Sequence, residues 1–237
     1  MRIYNQTDFI AQHPIRNCLG DIITEIKHSE MNTYCSLLTW VEGRDLQQED
    51  VSDGDYNGVC SDTRHINGIE RNHHMLMQIQ RGVELGLFLS SDFHIIEESF
   101  DLINSRLEVN GNAENPTGII HGDLNMGNII VSNNEEICFI DFGLFGFGYY
   151  LLDVSMGALM VQSELRRRFL EGYFGDNEIP EDIFVILEGF MLIAIFGYYA
   201  FHMENEAVHP WIRERMPLLC AKHCLPFLSG DSIFYKL

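Results

Sequence analysis

Positive charge is scarce in this 237-residue chain: three lysines occur, Lys27, Lys222 and Lys236, and Lys plus Arg total 15 against 35 Asp plus Glu. A formal net charge of -20 repels phosphate backbones, which excludes nucleic acid as an expected partner and favours cationic small molecules and divalent metals. Cysteine is sparse and scattered, at positions 18, 35, 60, 138, 220 and 224, with no secretory leader before them. That pattern reads as reduced thiols in a cytoplasmic protein. Cys220, His223 and Cys224 lie close together, but zinc usually needs a second ligand pair at matching spacing, and none is present. Low-complexity tracts are missing too, and 46% hydrophobic with 21% charged residues excludes a disordered chain. One long apolar run exists, 183–201. Glu188 interrupts it, Glu181, Asp182, Glu204 and Glu206 flank it, and no basic cluster marks either side. It reads as a buried core helix entered at Pro180, with no membrane span expected.

Elements follow from periodicity and punctuation. Two strands are expected at 21–26 and 34–41 around the polar turn 28–32, then a polar loop over 44–67. A helix over 69–85 stops at Gly86. Phe93, Ile96, Phe100, Ile103 and Leu107 repeat at steps of three and four, so a second helix starts near Ser91 and Asp92. After a loop at 110–117 the pattern changes to short apolar runs at 129–131 and 137–140 around Asn133-Asn134-Glu135-Glu136, a β-hairpin signal. Beyond about residue 150 the chain reads as helical, with starts at Ser163, Pro180 and Pro210 and an interruption at Pro217. His73, His74 and His94 read as surface histidines, and Arg166-Arg167-Arg168 as a solvated face.

The hairpin carries the chemistry. Ile-Ile-His-Gly-Asp-Leu-Asn-Met-Gly-Asn-Ile-Ile-Val holds Asp123 before it and Asn128 at its entry, and Asp141 follows its second strand. An aspartate on the preceding loop can accept a proton from an attacking hydroxyl. An amide and a carboxylate at the two open ends can hold one hard divalent cation, which takes oxygen ligands and completes its shell with water and phosphate. A base, a metal clamp and positioning are what phosphoryl transfer requires.

The ordered set His121-Gly122-Asp123-x-x-x-x-Asn128, Ile140-Asp141-Phe142 and Gly148-x-x-x-x-Asp153 resembles the aminoglycoside phosphotransferase and choline kinase family, in particular members related to type II homoserine kinases. Leu38-Thr39-Trp40-Val41-Glu42-Gly43-Arg44-Asp45-Leu46 resembles that family's hinge between lobes. The likeness covers roughly residues 20 to 230, with its sharpest motifs in 119–157. It implies an α+β, protein-kinase-like fold with a reduced β N-lobe and a mostly helical C-lobe, divided as 1–43 and 44–237. It implies ATP and Mg²⁺ as cofactors, with Asp123 as catalytic base and Asn128 and Asp141 as metal ligands. Main-chain groups of Trp40, Val41 and Glu42 would meet the adenine, and His121 and Asp153 would support the catalytic loop.

Relatives of this kind also carry a glycine-rich loop and a strand lysine that neutralises the nucleotide phosphates. No Gly-x-Gly-x-x-Gly precedes the hinge-like segment here, and Lys27 lies in the strand-turn immediately before it. The N-lobe is therefore expected to be truncated. The expected activity is ATP-dependent phosphorylation of a hydroxyl group on a small molecule, impaired by that truncation. The alternative is a non-catalytic, pseudokinase-like binding module or a gene fragment. Acids at 45, 49, 50, 53 and 55, and at 181, 182, 188, 204 and 206, would favour an amine-bearing acceptor if they face the cleft.

Overall fold

A computed structural model describes residues 10–11, 14–15, 24–27, 32–35, 37–38, 43–45, 66–109, 116–132, 137–175 and 179–237. The chain divides into two compact units, residues 1–50 with 126–141, and residues 51–125 with 142–237.

Short strands dominate the first unit. They run as β1 (Ile10–Ala11), β2 (Pro14–Ile15), β3 (Thr24–Lys27), β4 (Asn32–Cys35), β5 (Leu37–Leu38) and β6 (Gly43–Asp45). The second unit begins with β7 (Ile66–Asn67), α1 (Ile69–Glu84), α2 (Ser90–Val109) and β8 (Thr117–Ile120). The chain then returns to the first unit for β9 (Ile129–Ser132) and β10 (Ile137–Phe139). It finishes in the second with β11 (Gly146–Tyr149), α3 (Tyr150–Met160), α4 (Arg166–Phe174), α5 (Ile183–His202) and α6 (His209–Leu219).

The hairpin β9–β10 pairs antiparallel, Ile129 opposite Phe139 and Val131 opposite Ile137. It forms the middle of a four-stranded sheet in the order β1-β10-β9-β6, with β1 parallel to β10 and β6 antiparallel to β9. Ile129 and Cys138 are fully buried, as expected of central strands with apolar residues on both sides. The polar segment expected to be loop from residue 44 thus contributes a strand at Gly43–Asp45, because the open edge of β9 offers its backbone a hydrogen-bonding partner. The expected strand pair is present but shifted. β3 and β4 pair antiparallel, with Thr24 opposite Cys35 and Lys27 opposite Asn32.

In the helical unit, periodicity and caps account for α1 and α2. Met75 and Ile79 of α1 are buried, and Gly86 follows at φ +65, a conformation glycine adopts without steric cost. Leu87 N–H donates to the Gly82 carbonyl at 2.8 Å and Gly86 N–H to that of Val83 at 3.0 Å, closing the end of the helix. Ile96, Phe100, Ile103 and Leu107 of α2 are all buried, and the Asp92 carboxylate accepts from Leu89 N–H at 3.0 Å at its start. Around them wraps α5, the expected core helix. It is long and apolar enough to cross a membrane by length and composition, yet it forms the centre of this unit's core, with Phe196 stacked on Phe100 at 5.0 Å.

Three expectations need correction. Pro217 does not interrupt α6, which runs through to Leu219 and opens into a wider π turn only at Cys220–Cys224. Buried Ile212, Met216 and Leu219 hold both halves of that helix on the core and offset the missing N–H. Arg166 is not on a solvated face. It is 3% exposed, and its guanidinium donates to the backbone carbonyls of Phe234 and, at 2.8 Å, Leu237. Glu188 is not free to meet a ligand. Its Oε1 accepts from Ser232 Oγ at 2.5 Å, Ile233 N–H at 3.0 Å and Phe234 N–H at 2.9 Å. The acid inside the apolar helix and the arginine of α4 thus hold the same C-terminal turn from two sides. Cys138, Cys220 and Cys224 are buried free thiols.

Candidate active site

In the helical unit the segment His121-Gly122-Asp123 leaves a three-stranded sheet, β7-β11-β8. β8 pairs antiparallel with β11, Ile120 opposite Gly146 and Thr117 opposite Tyr149. The chain then turns at Gly122, φ +76, so that the backbone N–H groups of His121 and Gly122 both meet Asp153 in the first turn of α3. His121 N–H donates to Asp153 Oδ2 at 2.7 Å, and Gly122 N–H donates to Oδ1 at 2.9 Å. One carboxylate thereby satisfies two consecutive backbone donors, which fixes the direction in which the following residue, Asp123, leaves the turn. Burial pushes the Asp153 carboxyl up from its ordinary range. The hydrogen bonds from Gly122 and His121 pull the other way.

Packing reinforces the turn. The buried His121 ring lies 4.7 Å from that of Phe142, and Leu124 N–H points at Met156 Sδ at 3.3 Å. Asp123 itself is half-buried, and Asn125 Nδ2 donates to its backbone carbonyl at 3.2 Å. A residue that no motif singled out joins this group. Arg71, in the first turn of α1, is half-buried; burial draws its guanidinium below the ordinary range, and attraction to Asp123 opposes that. Its position depends on how α1 packs, and no local sequence signal could have revealed it.

The strand unit holds the other two chemical residues. Asn128 is buried at the end of a single 3₁₀ turn, Met126–Asn128, just before β9. Its carbonyl accepts from Ile140 N–H at 2.9 Å, which extends the hairpin pairing by one step and brings Asn128 and Asp141 to the same open end. Asp141 is exposed at φ +57, the one non-glycine residue with positive φ among the described residues. Aspartate tolerates this left-handed conformation better than most side chains, and such strain collects at functional positions. Trp40, Val41 and Glu42 lie outside the described residues. So do 49, 50, 53 and 55 among the acids expected near an acceptor. Glu181, Asp182, Glu204 and Glu206 are exposed, and Glu204 pairs with Arg81 at 3.2 Å.

The donor set can be tested against the cation that the motif implies. Asn128 and Asp141 supply an amide oxygen and a carboxylate, hard donors that suit Mg²⁺ rather than a thiophilic metal. Among the described residues no group of three or more His, Cys, Asp or Glu side chains could hold a metal ion by itself. A cation here would need phosphate oxygens and water to complete its shell.

Residues 8–184 match the model of the APH family, described as the phosphotransferase enzyme family. No match was found among curated proteins. Among solved structures, the chain is similar to a microcompartment-associated aminopropanol kinase, at 17% identity and a TM-score of 0.73 over 95% of this chain and 78% of that one. It is similar to an amicoumacin kinase in complex with AMP-PNP, Ca²⁺ and Ami, at 15% identity and a TM-score of 0.65 over 96% of this chain and 75% of that one. It is also similar to a Plasmodium vivax ethanolamine kinase, at 14% identity and a TM-score of 0.56 over 88% of this chain and 68% of that one. These likenesses are of fold, the protein-kinase-like α+β fold of small-molecule kinases.

Proposed function

Since the chain belongs to the phosphotransferase enzyme family, we propose that it transfers the γ-phosphoryl group of ATP to a hydroxyl group of an amine-bearing small molecule. The observation that carries this reading is the turn at 121–123. A half-buried carboxylate, Asp153, uses both oxygens to hold the backbone N–H groups of His121 and Gly122, which fixes the orientation of Asp123.

Asp123 orients the acceptor hydroxyl and takes its proton as the oxygen attacks phosphorus. Asn128 and Asp141, side by side at the open end of the hairpin, would hold Mg²⁺, which would offset charge on the phosphate oxygens. Main-chain groups of Trp40, Val41 and Glu42 receive the adenine. His121 and Asp153 keep the loop in place without touching substrate. Two facts support an amine on the acceptor: the chain's formal charge of -20, and the aminopropanol and ethanolamine named for two structures of similar fold.

Phosphoryl transfer from ATP should be measured against 1-amino-2-propanol and ethanolamine, each beside a neutral alcohol of the same shape. Moderate salt screens surface attraction over a Debye length of about 8 Å and leaves buried contacts largely intact. Faster transfer to the amines is expected. Consistent preference for neutral or anionic alcohols rejects the substrate class, and no transfer to any hydroxyl compound rejects the activity.

Metal binding gives a separate check. Mg²⁺ or Mn²⁺ is expected to bind weakly alone and more tightly with ATP, because Asn128 and Asp141 leave most of the shell to phosphate and water. Asp141→Ala should remove the ATP-dependent increment. Equal binding by the native and substituted proteins rules out Asp141 as a ligand.

A further inference from the structure

A side chain leaves its Cα in a direction set by the peptide planes on either side, so a catalytic carboxylate needs its backbone held both before and after it. Before Asp123 that work is done by Asp153, which accepts from the N–H groups of His121 and Gly122. Those bonds do not reach the peptide between Asp123 and Leu124. The structure holds that peptide at both of its polar ends. Its carbonyl, from Asp123, accepts from Asn125 Nδ2 at 3.2 Å. Its N–H, from Leu124, donates to Met156 Sδ at 3.3 Å. Asn125 is exposed and moves with the loop, whereas Met156 ties the peptide to a helix. Met156 follows Asp153 by three residues, which puts both side chains on one face of α3, about one turn apart. The helix backbone beneath Met156 is fixed by its neighbours. Ser155 is buried, and its Oγ donates to the Leu151 carbonyl at 2.7 Å. At Gly157 the Phe169 ring of α4 packs so close that an added Cβ would lie 2.5 Å from it. The thioether is thus presented to Leu124 from a rigid element rather than from another loop.

We propose, resting on the phosphotransferase reading above, that Met156 is a positioning residue for Asp123: its sulfur holds the peptide that follows the base, as Asp153 holds the backbone that precedes it. α3 therefore grips the loop at two points, one charged and one neutral, before and after the reacting carboxylate in the chain. A thioether is a weak acceptor, and that suits the place. It carries no charge, so unlike a second carboxylate it adds no repulsion to Asp123, whose ionised form is the one that takes the hydroxyl proton. Its unbranched, flexible side chain fits an irregular gap between helix and loop. A weak bond suffices, because it only selects one rotation of a peptide whose upstream neighbours are already fixed.

Two variants test this, Met156→Leu and Met156→Gln. Leucine keeps the apolar volume and removes the acceptor, and exchange between these two residues is tolerated in packed sites. Glutamine is as unbranched as methionine and offers a carbonyl oxygen to Leu124 N–H. Met156→Leu should lower kcat by about tenfold while KM for ATP changes little, a fraction of the loss of about 10²-fold that a misplacement of an ångström can cause. Met156→Gln should recover part of that loss. A side chain needed only for packing gives the reverse order, because leucine is the better apolar replacement. Met156→Leu turning over as fast as Met156→Gln, or as fast as the native protein, overturns the proposal. The second measurement needs no substrate. In backbone amide hydrogen exchange followed by NMR, Leu124 should exchange at least about fivefold faster in Met156→Leu than in the native protein, while His121 and Gly122, still held by Asp153, keep their native rates. Met156→Gln should restore the protection of Leu124. Equal exchange of Leu124 in the native and leucine proteins means that the sulfur does not hold this amide, and overturns the proposal. If the native protein transfers no phosphate while Leu124 still loses protection in Met156→Leu, the functional reading has failed and the contact stands.

Discussion

Asp123→Asn is expected to lower phosphoryl transfer by about 10²–10⁴, the usual worth of a positioned general base. Asparagine keeps the size of the side chain and its hydrogen-bonding reach, but it cannot accept the hydroxyl proton. Stability should change little, because Asp123 is only half-buried and the turn beneath it is held by Asp153 rather than by its own carboxylate. The measurement is steady-state turnover with a saturating acceptor, alongside a thermal melt of the same preparation. A folded Asp123→Asn protein with native turnover would remove Asp123 from the mechanism. A variant with lost turnover and a much lower melting temperature would show instead that the carboxylate is structural.

The largest expected effect on stability lies away from the chemistry. Glu188 sits 3% exposed inside an apolar helix and accepts three hydrogen bonds, from Ser232, Ile233 and Phe234. Hydrogen bonds to a charged group contribute about 1.5–3 kcal/mol each, and buried donors left without a partner add a desolvation penalty. Glu188→Ala leaves the buried N–H groups of Ile233 and Phe234 without their acceptor, while the hydroxyl of exposed Ser232 can turn to water, so a loss of about 3–5 kcal/mol in unfolding free energy is expected. Glu188→Gln keeps one oxygen acceptor and should lose clearly less. Chemical denaturation decides it, and a loss below about 1 kcal/mol for Glu188→Ala would show that the C-terminal turn is held by packing and Arg166 alone. Retention of the ordinary turnover by whatever fraction stays folded would separate this clamp from the active site.

Motif spacing was legible in the sequence because its causes are local. A turn that requires glycine at φ +76, a hairpin closed four residues after its first strand and a helix whose first turn carries Asp153 each depend on residues close together in the chain. The helices at 69–84 and 90–109 were readable for the same reason: a 3.6-residue period, an aspartate at one start and a glycine at one end are intrinsic to the segment. Pairings between distant segments were not readable. Gly43–Asp45 looks like loop until β9 presents an unpaired edge, and the hairpin's membership of the strand unit follows from its pairing with β1 and β6. Burial decided the charged residues. Arg166 reads as one of three arginines on a wet face, and Glu188 as an acid interrupting a helix, until the chain's last turn folds onto both and supplies their partners. The sequence determines which chemistry this protein carries, because that chemistry is written in short motifs. The tertiary structure decides which charges surround it, because a charge acts through space and burial rather than along the chain.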